Sequence, residues 1–276
     1  MKIVVKPFVV AAFYKFVALE NIQTLRDSLR ELCELNNIKG TILLALEGIN
    51  STISGDEASL HRVLDGLKSD ARFVDLPIKF SRHETQPFAR LKVKIKPEIV
   101  TLGLPQISPT KAVGTYVKPR DWNALISQPD VFVLDTRNDY EVEVGTFDSA
   151  INPQTSSFRQ FPDAVEKLAI DKNIRVAMFC TGGIRCEKAS SLLMEMGFEN
   201  VYHLEGGVLQ YLEDVPPDES LFQGECFVFD ERVSLDHDLA RGEYSLCEKC
   251  GVPVKIGVTL CSDCEYSHND SSSLQA

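Results

Sequence analysis

Arg175-Val176-Ala177-Met178-Phe179-Cys180-Thr181-Gly182-Gly183-Ile184-Arg185 is the stretch on which the fold turns. Arg175–Phe179 is a short, mostly apolar run, the signature of a strand buried on both faces. From Arg185 to Met196, Ala189, Leu192, Leu193 and Met196 fall on one face of a helix, and Gly197 suits its C-terminal cap. A buried strand that turns through glycines into a helix is the repeating unit of a parallel α/β sheet. Ligands of such sheets bind at the carboxyl ends of the strands, which is where Cys180 stands.

The residues after Cys180 give it chemistry. Two glycines let the backbone turn tightly, so that several N–H groups point at one centre, and a helix N-terminus adds its field. Together with Arg185 this lowers the thiol pKa and favours a nucleophilic or sulfur-carrying cysteine. The plainer reading, a free cysteine packed as a small hydrophobe, explains Cys180 but not Thr181-Gly182-Gly183-Ile184-Arg185 behind it. Cys186 has two readings of equal standing: a resolving thiol for Cys180, or a helix residue that points elsewhere.

Outward from this loop the α/β grammar continues. Val131–Leu134 and Val201–Leu204 are further short apolar strands. Pro119 suits the first turn of a helix through Trp122–Ile126, and Phe161–Leu168 reads as helical. Pro216-Pro217 closes a parallel α/β domain over residues 112–220. Upstream, Phe8–Phe16 suits a strand. Ile22, Leu25, Leu29, Leu32 and Leu35 mark a helix, and Gly40–Leu46 a buried strand. Glu47-Gly48-Ile49-Asn50 reads as a turn, and Ser51–Ser54 as a returning strand. A helix with Leu60, Val63, Leu64 and Leu67 on one face and a strand over Asp75–Arg82 complete β-α-β-β-α-β. That order is the split βαβ, ferredoxin-like pattern, placed over residues 1–104. Residues 97–118, with three prolines, read as a linker.

The formal net charge is -11, so the surface as a whole does not attract nucleic acid. The charge is uneven. Residues 1–108 carry 15 basic against 12 acidic side chains, and the remainder 14 against 28, so a polyanion would choose the N-terminal part. There Arg90, Lys92, Lys94 and Lys96 alternate with Leu91, Val93 and Ile95. This is either an edge strand protected by lysines or a phosphate-contacting stripe, with Arg82 as a further candidate. No apolar run is long enough to span a bilayer. The start of the chain, with Lys2, Lys6 and Pro7, lacks the continuous run and cleavage site of a signal peptide.

Eight cysteines in 276 residues are no disulfide scaffold. Cys247-x-x-Cys250 and Cys261-x-x-Cys264 can offer four thiolates to one tetrahedral ion, which points to a structural zinc, a reducing compartment and hence the cytoplasm. Residues 221–276 are thus expected to form a small zinc-ribbon-like module that ends in a disordered polar tail, with His268 in the tail rather than among the ligands.

Cys180, Gly183 and Arg185 meet the C-x-x-G-x-R form of the active loop of the rhodanese superfamily. Leu134-Asp135-Thr136-Arg137 with Glu141, Gly145–Asn152 and Leu204-Glu205-Gly206-Gly207 resemble its other blocks, although Thr146 stands where a histidine is usual. The six-residue loop matches the sulfurtransferases of that superfamily rather than its phosphatases, whose loop is one residue longer. Asp135, Arg137 and Glu141 are expected to be structural ion-pair partners. With Phe13–Phe16, Leu46–Gly55 and Gly224–Val233, the whole chain resembles the bacterial tRNA uridine hydroxylases of the rhodanese type. The resemblance implies hydroxylation at C5 of uridine 34, tRNA as partner, dioxygen as co-substrate, and Cys180 as the essential cysteine. It leaves open whether Cys180 adds to C6 of the base or acts as a sulfur reductant, and it names no electron donor and no stable protein partner. Phe158 and Phe161 are candidates to stack on an extruded base, weighed against a place in the core. A plain sulfurtransferase using a Cys180 persulfide, and a binding module without catalysis, are the alternatives.

Overall fold

The computed structural model describes residues 8–267. Lys2, Lys6 and Pro7, and the tail with His268, lie outside the described residues. The chain divides into two compact units between Lys111 and Ala112.

In the first unit, β1 (Phe8–Phe16), α1 (Ile22–Leu35), β2 (Lys39–Ala45), β3 (Gly48–Gly55), α2 (Glu57–Lys68) and β4 (Ile78–His83) follow the expected order. The strands lie as β4-β1-β3-β2, antiparallel, and β5 (Leu91–Ile95) extends the sheet beyond β2 and parallel to it. Alternation sorts the faces. Val9, Ala11 and Phe13 of β1, Ile42 and Leu44 of β2, and Ile49 and Ile53 of β3 share one core with Leu29 and Cys33 of α1 and Leu60, Val63 and Leu64 of α2. The Asp56 carboxylate caps α2 by accepting from the Ser59 N–H at 3.0 Å.

Two expectations change here. Gly48, Ile49 and Asn50 belong to β3, which leaves only Leu46 and Glu47 in the turn, because two-residue loops match the twist of a hairpin. The segment after β5 is not an open linker. Ile99, Leu102 and Ile107 are buried, and the Glu98 carboxylate accepts from the N–H groups of Leu102 and Gly103. Its prolines punctuate a packed loop.

The second unit holds β6 (Thr115–Val117), α3 (Pro119–Ile126), β7 (Val131–Asp135), α4 (Asp139–Val144), β8 (Gly145–Phe147), α5 (Phe161–Lys167), β9 (Arg175–Phe179), α6 (Ile184–Glu195), β10 (Val201–Leu204) and α7 (Gly207–Asp214). Strands β6-β10-β9-β7 form a parallel sheet. Ala177 and Phe179 of β9 pack in one core with Trp122 of α3 and Tyr211 of α7, while Val176 and Met178, which point the other way, are equally buried. Phe147 is the hub of that core, edge-on to Phe179, Tyr211 and Phe222.

After Pro216-Pro217 the chain returns to this core. Strand β11 (Phe222–Gly224) pairs with β8, and β12 (Cys226–Phe227) pairs with β13 (Ser234–Leu235). Phe222 and Cys226 are buried with Phe147, and Phe227 packs on Val144 of α4. The hairpin β14 (Tyr244–Leu246) and β15 (Pro253–Lys255) carries the first cysteine pair. Among the described residues no helix is long and apolar enough to cross a membrane.

Candidate active site

Strand β9 delivers Cys180 to the carboxyl end of the sheet, and α6 begins four residues later. The Gly183 N–H donates to Cys180 Sγ at 3.1 Å, and the backbone N–H and side chain of Cys186, on the first turn of α6, lie beside the same sulfur and favour its charge. Gly183 has φ 98°, a conformation that favours glycine and turns its N–H inward. The loop carbonyls point outward, where the first turn of α7 meets them: Val208 N–H donates to Cys180 O at 2.9 Å and Leu209 N–H to Thr181 O at 3.1 Å. Gly207 makes that contact possible, since a Cβ there would lie 2.4 Å from Cys180 O. The late Gly-Gly turn is therefore a seat for the active loop.

Arg185 forms a two-point pair with Glu141, at 2.6 and 2.8 Å, and Thr181 Oγ1 bridges both. Glu141 is placed by the capping box at the start of α4, where its carboxylate accepts from Asn138 N–H. Burial opposes its charge, but Arg185 holds its carboxyl below the usual range. Below them, Asp135 and Arg137 form a second buried pair. Arg137 also donates to Gly145 O at 2.6 Å, and Thr146 Oγ1 donates to Asp135 at 2.9 Å. Thr146 thus supplies a hydrogen bond at the position where the rhodanese blocks usually carry a histidine.

Burial alone would raise the pKa of Cys180. The hydrogen bond from the Cys186 thiol, the Arg185 charge and the two backbone N–H groups overcome it and bring the thiol down to about 5. Burial and the neighbouring Cys180 sulfur push Cys186 well up, so it stays a thiol. Thr136 Oγ1 lies 3.5 Å from Cys186 Sγ. Cys180 itself is 1 % exposed, whereas at Gly182 an added Cβ would meet nothing within 4 Å, so the loop opens outward there.

Of the sequence candidates, Cys180, Thr181, Gly182, Gly183, Ile184, Arg185 and Cys186 come together in this loop. Phe158 and Phe161 do not join it; they stack on each other and are buried, at 7 % and 0 % exposure. The aromatic at the loop is one that sequence reasoning missed. Phe229 is 65 % exposed, lies 5.8 Å from the Arg185 guanidinium and is edge-on to Phe227. It sits within the Gly224–Val233 block, but only the β11–β13 return brings it here.

In the first unit, Lys92 and Lys94 of β5 point away from the helical core, on the face opposite Val93, and Arg90 and Lys96 flank them in the same alternation. Lys39 of β2 stands next to Arg90 by register and adds to the stripe. Arg82 does not belong to it. It lies on β4, at the opposite edge of the sheet, on the helical face, and pairs with Glu57 of α2 at 2.9 Å. Its place in the chain, near Arg90, concealed the three strands that lie between β4 and β5.

The Sγ atoms of Cys247, Cys250, Cys261 and Cys264 lie within 4.8 Å of one another. The pairs Cys247–Cys264 and Cys250–Cys261 are each 3.7 Å apart. A tetrahedral ion with bonds of about 2.3 Å to sulfur requires edges of about 3.8 Å, so the four thiolates fit such an ion. Gly251 N–H donates to Cys247 O and Glu265 N–H to Cys261 O, the same turn behind each pair.

Residues 8–99 match the UPF0176 acylphosphatase-like domain and residues 118–214 the rhodanese-like domain. The chain is 54% identical over 254 residues to a protein of Agrobacterium fabrum named tRNA uridine(34) hydroxylase, which covers 92% of this chain and 81% of that one. Among solved structures, the polysulfide-sulfur transferase of Wolinella succinogenes is 26% identical and covers 41% of this chain and 82% of its own, with a TM-score of 0.33. The rhodanese-like domain of an Anabaena protein is 19% identical over 40% of this chain and 78% of its own, also at 0.33. Neither superposition is close enough to carry an argument about chemistry.

Proposed function

The chain belongs to the tRNA uridine(34) hydroxylase family, and from that premise we propose that it hydroxylates C5 of uridine 34 in tRNA, with dioxygen as co-substrate and Cys180 as the reacting sulfur. The observation that carries the site is the Cys180 sulfur held by the Gly183 N–H beside Cys186, with its pKa brought down to about 5. A thiolate at neutral pH is the form that attacks carbon or oxygen. Arg185, fixed by Glu141, acts on Cys180 by its charge. Phe229 offers a flat, exposed ring beside the loop on which an extruded pyrimidine can stack, since chemistry on a base requires it unstacked. The stripe of Lys39, Arg90, Lys92, Lys94 and Lys96 suits the tRNA backbone. The four C-terminal thiolates suit a structural zinc, which would fix the two turns as a folded knuckle pair. A reduced thiolate cluster and a tRNA substrate both fit the cytoplasm.

Deleting the gene and digesting bulk tRNA to nucleosides tests the reaction. Loss of 5-hydroxyuridine and its derivatives is the expected result. Loss of a thiolated nucleoside would instead make the protein a sulfurtransferase, and an unchanged profile would leave it a binding module.

A further inference from the structure

Hydroxylation by dioxygen consumes two electrons that the substrate does not provide. One oxygen atom enters C5–OH, and the other must be reduced to the level of water. We propose that Cys180 and Cys186 supply these electrons by closing a disulfide once in each turnover, an inference that rests on the hydroxylase reading above.

Position separates Cys186 from the other cysteines. It lies on the first turn of α6, 0 % exposed, with its side chain next to that of Cys180 and its sulfur beside the Thr136 hydroxyl. Cys33 belongs to the core of the first unit, and Cys226 is buried with Phe147 and Phe222. Among the described residues outside the C-terminal cluster, Cys186 is the one thiol whose side chain neighbours that of Cys180. A helix-face cysteine without a role needs no such contact. The two groups are also in opposite states: Cys180 is poised as the anion and Cys186 as the thiol. That division matches an attacking sulfur and a resolving one.

The balance closes in two steps. Net, C5–H, O2 and the Cys180 thiolate give C5–OH and a Cys180 sulfenate; one oxygen forms the new C–O bond, the other the S–O bond, and the sulfur is oxidised by two electrons. The Cys186 sulfur then attacks the sulfenate sulfur, the S–O bond breaks, and the Cys186 proton leaves with the oxygen as hydroxide. The product is a Cys180–Cys186 disulfide, and an external dithiol restores the pair by thiol exchange before the next turnover.

The test uses the full-length, zinc-loaded protein, reduced and then freed of thiol under anaerobic conditions. It is mixed with tRNA from the deletion strain, exposed to oxygen, quenched in acid and alkylated. Trypsin cuts after Arg185, so the disulfide joins the peptide 176–185 to the peptide 186–188, a species that no other cysteine can form. The expected result is about one 5-hydroxyuridine and about one joined peptide pair per chain, rising together. In C186S, dimedone should capture a Cys180 sulfenic acid that the wild type does not accumulate. Product formed while both thiols stay free, or product from C186S without the dimedone adduct, would overturn the proposal. If wild-type protein makes no 5-hydroxyuridine even with excess dithiol and oxygen, the hydroxylase reading fails and this inference falls with it. Product in the presence of dithiol, together with product but no disulfide in the dithiol-free first turnover, rejects the inference alone.

Discussion

At the scale of residues, the site is a set of donors aimed at one sulfur, and its pH behaviour follows from that. An unfolded Cys180 thiol titrates near 9.0 and the folded one near 5, so between these values the unfolded state holds the extra proton. The stability contributed by Cys180 is full above about pH 9, diminishes below it, and is lost as pH falls through about 5. Difference spectra of thiolate absorbance between wild type and C180S should show a midpoint near 5, and a midpoint near 8–9 would refute the donor arrangement. Cys180, the two glycines and Arg185 were legible in the sequence because their spacing is local. Glu141 was legible only as an ion-pair partner, and Phe229 was not legible as a site residue at all. Its position depends on a strand pairing between segments far apart in the chain, which no local pattern encodes.

At the scale of elements, β5 makes a sharp forecast. Lys92, Lys94 and Lys96 alternate onto the face away from the helices, while Arg82 is paired with Glu57 on the other side of the sheet. Each of K92A, K94A and K96A should lower the slope of log K for tRNA against log salt by about 0.7–0.9. R82A should leave it unchanged. Equal effects from all four would mean that charge, and not this face, governs binding. The order of elements in the first unit could be read from hydrophobic period, because each strand and helix buries its own face, whereas in the second unit the short β6, α4, β8 and α7 carry too little periodicity to be legible. Boundaries were less legible. The hairpin turn at Leu46–Glu47 proved two residues long, and the proline-rich segment after β5 proved packed, since Ile99, Leu102 and Ile107 anchor it where composition suggested only looseness.

At the scale of the molecule, the C-terminal segment has two layers of dependence. The hairpin and the second cysteine pair share a small core of Cys247, Val254 and Cys261. Removing the metal with a chelator should therefore abolish amide protection from Tyr244 to Tyr266, while the parallel sheet keeps its own. Hydrogen exchange followed by mass spectrometry reads both at once, and collapse of the whole second unit would contradict this separation. The β8–β11 pairing belongs to the other layer. Gly145–Phe147 meets Phe222–Gly224 strand to strand, and Phe222 completes the aromatic hub. Seen as a unit of inheritance, the sulfur-bearing domain is longer than the 118–214 stretch that matches the rhodanese-like domain. A gene fusion or exchange that carried only that stretch would take Phe222 away from Phe147 and leave β8 without its partner strand. Recombination that preserves this site has to take the chain through β13 as one piece.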